Sequence, residues 1–257
     1  MIPRSHFTRI ADEQEVDAKT VERDYVLTHT VAAIGVQGVD QGLVFKGGTA
    51  LRLCYFEDYR YSADLDFSLP EGAGRDAALE SLARALTSAS EQIGLPHLAL
   101  AGDGKAIEYE GPLGKRRELK LDIATDELIE ETATRTLLPR YPDQIEAQIT
   151  VYTLGEIAAE KLRCVIQRLQ ARDLFDLNEL FVVNKIPLEE VWATFERKAR
   201  HKRIDPSQFS ERFNKRVPQW RTRWDEEMAE HLAGEPDQFE TVERAVRRAL
   251  RSRLTAG

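Results

Sequence analysis

The chain has 257 residues, a formal net charge of −8, 42% hydrophobic and 31% charged residues, 15 Gly and 10 Pro. This is an ordinary globular composition, and it excludes collagen-like, fibrous and intrinsically disordered classes. No stretch approaches the roughly 18 to 20 continuous apolar residues of a membrane helix, so no membrane partner is expected.

The first ten residues contain no apolar signal core. Cys54 and Cys164 stand far apart in sequence, which argues against a disulfide scaffold or a zinc–thiolate site. The expected location is therefore a reducing cytoplasm. In chain order, residues 12–34 read as an acidic helix ending near Gly35 and Gly38. Leu43, Val44 and Phe45, between Gly42 and Gly47, read as a short buried strand. Gly47 and Gly48 make a tight turn, and Thr49 is placed to cap a helix reaching Phe56. Residues 64–69 alternate and read as the next strand. Residues 75–93 form a helical stripe through Leu79, Leu82, Leu86 and Ile93, stopped by Gly94.

Residues 106–110 and 117–124 read as strands joined by the turn Gly111-Pro112-Leu113-Gly114, and 146–152 as another strand. Beyond Thr153 the pattern is helical, over 154–169, 174–183, 188–198, 208–216, 220–232 and 238–254. Two lobes are expected, a mixed α/β lobe over 1–150 and an all-helical lobe over 151–257. The charge is divided too. From Arg197 onward there are 15 Lys and Arg against 10 Asp and Glu, a net of +5, leaving −13 for the rest. The acidic front is suited to cations and the basic tail to a polyanion, unless both are simply solvated surface.

Asp64 and Asp66 are the sharpest chemical feature. Residues i and i+2 of a strand share a face, about 6–7 Å apart. Leu65 and Phe67 then take the core side. Two carboxylates held this close call for a cation between them, and Mg²⁺ fits because it takes hard oxygens and substrate phosphates. The alternative is a solvated strand with two charges. Fourteen residues separate Asp64 from the end of the run Lys46-Gly47-Gly48-Thr49. Such a turn into a helix lets backbone N–H groups approach phosphate oxygens, although it is not a Walker A loop. Arg60 and Ser62 are near enough in sequence to reach the same phosphates. Asp122, flanked by Leu121 and Ile123, is a third acid, either for a second metal or for deprotonating a hydroxyl, or else an edge-strand charge.

Thr153 and Glu156 match a capping box, which sets the phase of the next helix. Its apolar stripe runs through Leu154, Ala158, Leu162, Val165 and Leu169. Lys161 falls at the margin of that stripe, where it either snorkels out or meets a partner anion. Glu160 and Arg163 lie on the wetter side. Asp173 is placed to cap the following helix, with Asp176 in its first turn, or one of them contacts Lys161 or a nucleotide. Trp192, Trp220 and Trp224 lie among Arg197, Lys198, Arg200, Lys202, Arg203, Arg221 and Arg223. They are either stacking surfaces for RNA or core anchors. The five histidines have no zinc-type spacing, and no nucleophile-elbow motif occurs.

Together, Val44-Phe45-Lys46-Gly47-Gly48-Thr49-Ala50-Leu51 and Arg60-Tyr61-Ser62-Ala63-Asp64-Leu65-Asp66-Phe67 resemble the AbiEii/MenT-type nucleotidyltransferase toxins of bacterial toxin–antitoxin systems. Glu160-Lys161 and Arg172-Asp173-x-x-Asp176 are similar to that family's later motifs. The resemblance implies a DNA-polymerase-β-like α/β lobe with a mixed sheet, and a helical lobe closing the nucleotide cleft. It implies transfer of NMP from an NTP to the 3′ end of tRNA with Mg²⁺ (Mn²⁺ as the alternative), blocking aminoacylation, and a cognate antitoxin. It assigns Asp64 and Asp66 to metal, with Asp122 the third acid. Gly47, Gly48, Thr49, Arg60, Ser62 and Lys161 would bind the nucleotide, and Asp173 or Asp176 would be the essential downstream acid. A transferase acting on a protein or small molecule, and an inactive binding module, are the rival readings.

Overall fold

The computed structural model describes residues 2–37, 42–95 and 97–254. Gly38, expected near the end of a helix, lies outside the described residues. The chain divides into two compact units. One holds Met1–Glu127 and Thr132–Tyr152, and the other Leu128–Glu131 and Thr153–Gly257.

The first unit opens with two helices rather than one, α1 (Arg4–Gln14) and α2 (Ala18–Val36). Glu15 turns left-handed at φ 54°, and the Asp17 side chain then accepts from the Lys19 N–H as a new N-cap. That local capping chemistry breaks the expected continuous helix. There follow β1 (Val44–Lys46), α3 (Gly47–Cys54), β2 (Asp64–Ser68) and α4 (Arg75–Ile93). Gly94 terminates α4 at φ 65°. The strands β3 (Ala99–Leu100), β4 (Ala106–Glu110), β5 (Arg116–Ala124), β6 (Thr132–Thr136) and β7 (Gln148–Tyr152) complete a seven-stranded sheet.

The sheet order is β3-β4-β5-β2-β1-β7-β6. It is mixed: β2 runs parallel to β5 and β1 to β7, and the other pairs are antiparallel. β3 and β6 were not legible as strands. β3 has two residues, and β6 is a mostly exposed Thr-rich edge with no apolar alternation to read. The central strands carry the core through Phe45, Leu65, Phe67, Leu121 and Val151. Helix α2 packs on α1, α4 and β7, and its apolar residues are buried nearly all round.

The second unit is helical apart from the short segment 128–131: α5 (Leu154–Gln167), α6 (Ala171–Asn178), a π-helical continuation Glu179–Val183, α7 (Leu188–His201), α8 (Phe209–Ala229), α9 (Phe239–Ala249) and α10 (Arg251–Leu254). The two helices expected over 208–216 and 220–232 are one, α8, with Pro218 inside it. Proline removes one ladder hydrogen bond. Phe213, Trp220, Trp224 and Met228 are all buried along one stripe and hold the helix through the break. Trp220 and Trp224 are therefore core anchors, not stacking surfaces. Conversely, the expected last helix divides at Leu250. Among the described residues, no helix is long and apolar enough to cross a membrane.

Candidate active site

Three neighbouring strands gather the polar residues of the α/β unit. Pairing of β1 with β2 sets Lys46 opposite Asp66. Pairing of β2 with β5 sets Asp66 level with Asp122, and Asp64 level with Lys120. Paired residues share a face, and adjacent strands run about 4.8 Å apart. Leu65, Phe67, Leu121 and Ile123 are buried on the opposite face. The alternation that builds the core thus puts all three acids on one surface. Asp64 and Asp66 are half-buried there, and Asp122 is exposed. Lys46 Nζ lies 3.8 Å from Glu127 Oε1 and 5.8 Å from the centre of the Tyr152 ring.

The glycine turn lies against this row. Gly47 has φ +79°, and a Cβ there would stand 2.5 Å from Asp66 Oδ2. Only glycine allows both the conformation and the approach. A Cβ on Gly48 would meet an Arg60 terminal nitrogen at 2.6 Å and Ser62 Oγ at 3.4 Å. The turn leads directly into α3, whose N-cap Lys46 makes no side-chain cap. First-turn N–H groups lack intrahelical partners and favour an anion.

Thr49 is not the expected cap. It sits inside α3, with Oγ1 2.8 Å from Ser62 Oγ and 2.5 Å from the Asp64 carbonyl oxygen. Its hydroxyl ties the helix to the start of β2. Arg60 is buried and donates to the Tyr61 carbonyl at 3.1 Å.

Lys161, Asp173 and Asp176 are brought together in the helical unit. Lys161 is 5% exposed and does not snorkel. Its Nζ lies 2.9 Å from Asp173 Oδ1 and 2.5 Å from Asp176 Oδ2. Asp173 also accepts from Arg168, at 2.8 Å from Nε. The helix begins at Ala171, so Asp173 lies within it and does not cap it. Burial opposes charge on Lys161, but Asp173 and then Asp176 outweigh it and hold the amine above its ordinary value. Burial likewise raises Asp173, and Lys161 and Arg168 outweigh that and hold it below.

The capping box is half formed. Thr153 accepts from the Glu156 N–H at 3.2 Å. The Glu156 carboxylate instead takes the Glu130 N–H at 3.0 Å and buried Lys198 at 2.6 Å. Arg163, expected on the wet side, is 4% exposed and bonds Glu160 at 3.0 Å.

Several basic-tail residues pair locally: Arg197 with Glu130, Arg200 with Glu196, Arg221 with Glu240 and Arg223 with Glu227. Those pairs reduce the charge the tail presents.

The donor chemistry of Asp64, Asp66 and Asp122 suits a hard divalent cation, with the Gly47–Gly48 cradle beside it. Among the described residues, no group of three or more His, Cys, Asp or Glu is placed to hold a metal by itself. Two carboxylates with substrate phosphates are sufficient for a cation such as Mg²⁺.

The sequence reading missed the buried pair Asp24–Arg52 and the Lys46–Glu127 pair. A signal existed for the first. Arg52 lies among Ala50, Leu51, Leu53 and Cys54, and a single charge in an apolar helix needs a partner, whereas Asp24 follows Glu22 and Arg23 and gave no such signal.

No curated protein matches the chain. Among solved structures, MenT4, a nucleotidyltransferase toxin from Mycobacterium tuberculosis H37Rv, aligns with a TM-score of 0.66 at 21% identity. The alignment covers 100% of this chain and 91% of that one, which shows a shared fold. The family model for the nucleotidyl transferase AbiEii toxin of type IV toxin–antitoxin systems matches residues 31–251. That span includes both polar clusters, and the chain therefore belongs to the AbiEii nucleotidyltransferase toxin family.

Proposed function

We propose that the protein is a Mg²⁺-dependent nucleotidyltransferase toxin. It transfers NMP from an NTP to the 3′ end of tRNA, blocks aminoacylation, and is neutralised by a cognate antitoxin in the cytoplasm. The observation that carries the catalytic part is the row Lys46–Asp66–Asp122 across three paired strands, with the Gly47 turn against Asp66.

In this reading, backbone N–H groups of Gly47 and Gly48 take up phosphate oxygens at the start of α3. Arg60 and Ser62 hold the triphosphate from the other side of the turn. Asp64 and Asp66 would hold the divalent ion, with Asp122 beside them. When bound, that ion neutralises charge building on the transferred and leaving phosphates. Asp122 receives the proton of the attacking 3′-hydroxyl at a carboxylate oxygen. The bond from the RNA 3′-oxygen to the α-phosphorus forms as the bond from that phosphorus to the bridging oxygen breaks. Pyrophosphate leaves with its electron pair. Asp173 and Asp176 keep Lys161 protonated and oriented. The basic tail steers the RNA.

The test uses each of the four α-labelled NTPs with Mg²⁺ and total RNA. Label is expected in tRNA, and Asp64→Ala is expected to abolish it. Label in a protein or small molecule would replace tRNA as the acceptor. Absence of label from every acceptor, with toxicity intact, would overturn the enzymatic reading.

A further inference from the structure

A buried ion pair lies behind the glycine turn and has no part in the steps above. Asp24 on α2 is 2% exposed, and Arg52 on α3 is 7% exposed. Arg52 grips Asp24 with a fork, Nε to Oδ1 at 2.6 Å and a terminal nitrogen to Oδ2 at 3.1 Å. Its other terminal nitrogen donates to the Tyr59 carbonyl at 2.5 Å. The guanidinium also lies 4.1 Å from the centre of the Tyr61 ring. Tyr141 fixes Asp24 from the far side, its hydroxyl donating to Oδ2 at 2.9 Å. Arg140 donates to the carbonyls of Arg52 and Phe56 and so closes the end of α3.

The two contacts to Tyr59 and Tyr61 bracket Arg60. Its guanidinium lies across Gly48, and Ser62 next along meets Thr49. Arg52 is three residues after Thr49 on a helix of eight residues, so it moves rigidly with the turn. One guanidinium thereby sets the spacing between the Gly47–Thr49 turn and the segment carrying Arg60 and Ser62. A planar fork with three fixed directions can do this, and a flexible ammonium cannot.

We infer that the Asp24–Arg52 pair is a positioning device for triphosphate recognition, holding Arg60 and Ser62 at the distance from the glycine turn that a polyphosphate spans. The inference rests on reading the Gly47–Gly48 turn as a triphosphate site. Neither Asp24 nor Arg52 touches the ligand.

The experiment measures binding of magnesium tripolyphosphate to the full chain by calorimetry, for wild type, Arg52→Lys and Asp24→Asn. Arg52→Lys keeps a buried positive charge facing Asp24 but loses the fork and the Tyr59 tether. It is expected to weaken binding by about tenfold or more while near-ultraviolet dichroism stays native. In a transfer assay the same variant is expected to raise KM for NTP far more than it lowers kcat. A merely structural role would reduce active protein and leave KM unchanged.

Hydrogen exchange on the wild-type chain reads the same coupling with no substitution. Tripolyphosphate is expected to slow exchange over 47–49 and 59–62 together. Failure of the wild type to bind would overturn the triphosphate reading and this inference with it. Binding by wild type with unchanged affinity in folded Arg52→Lys, or slowing confined to 47–49, would overturn the positioning inference alone.

Discussion

Replacing Lys161 by methionine is expected to destabilise the helical unit severely. The side chain is buried between two carboxylates that are themselves fully buried, Asp173 and Asp176. Methionine keeps the volume but removes the cation shared by those two acids, while Arg168 still reaches Asp173 from a position 44% exposed. Removing one member of a buried ion pair typically costs about 3–5 kcal/mol. That is a large part of the roughly 5–15 kcal/mol that holds a domain folded.

With a urea slope of about 2 kcal/mol per molar, the unfolding midpoint should fall by about 1.5–2.5 M. The assay is urea unfolding at pH 7 followed by far-ultraviolet dichroism. Adding Asp176→Asn to Lys161→Met removes the like charge and is expected to recover part of the loss. A midpoint within about 0.3 M of wild type would refute the reasoning, because the lysine would then have no structural partners.

The same cluster sets limits in pH. Asp173 is held below its ordinary 3.8, so its contribution is present above that value and is lost as pH falls through the lower folded value. Lys161 is held above 10.5, so its contribution persists below that value and is lost as pH rises through the higher folded one. Denaturant midpoints from pH 2 to 12 should show both losses, and Lys161→Met should flatten them. Gly47→Ala should abolish transfer, since it forces φ +79° on alanine, at about 1–2 kcal/mol, and drives a methyl into Asp66 Oδ2. A variant with wild-type activity would show that the turn does not rest on Asp66.

Lys198→Met should cost about 3–5 kcal/mol by leaving Glu156 buried and unpaired, read by the same unfolding assay. Burial holds His29 below its ordinary 6.5 despite nearby Asp143. The unfolded chain then binds the extra proton, so stability should fall as pH drops from 6.5, and His29→Gln should lessen that slope in melts between pH 7 and 5.

The strands bearing Asp64, Asp66 and Asp122 were legible because alternation is a local signal, and the structure keeps the alternation intact at β2 and β5. The sequence also showed the glycine turn. What it left open was the register. Nothing local says that β2 pairs with β5 in parallel so that Asp66 falls level with Asp122. That depends on hydrogen bonds between strands more than fifty residues apart in sequence. Capping was misread for a similar reason. Thr49 and Asp173 are residue types that cap helices, but their oxygens find tertiary partners in Ser62, Lys161 and Arg168.

Composition and periodicity alone determined an α/β front, a helical back and the acidic pair on one strand face, because each follows from side-chain spacing within one element. Family motifs in the sequence pointed to a nucleotidyltransferase toxin. Only the tertiary structure decided which charges are buried and with whom. Asp24 meets Arg52 across 28 positions, and Lys198 meets Glu156 across two helices. A charge is stable in an apolar interior only when folding brings its opposite to it, and that proximity is not written into any single stretch of chain.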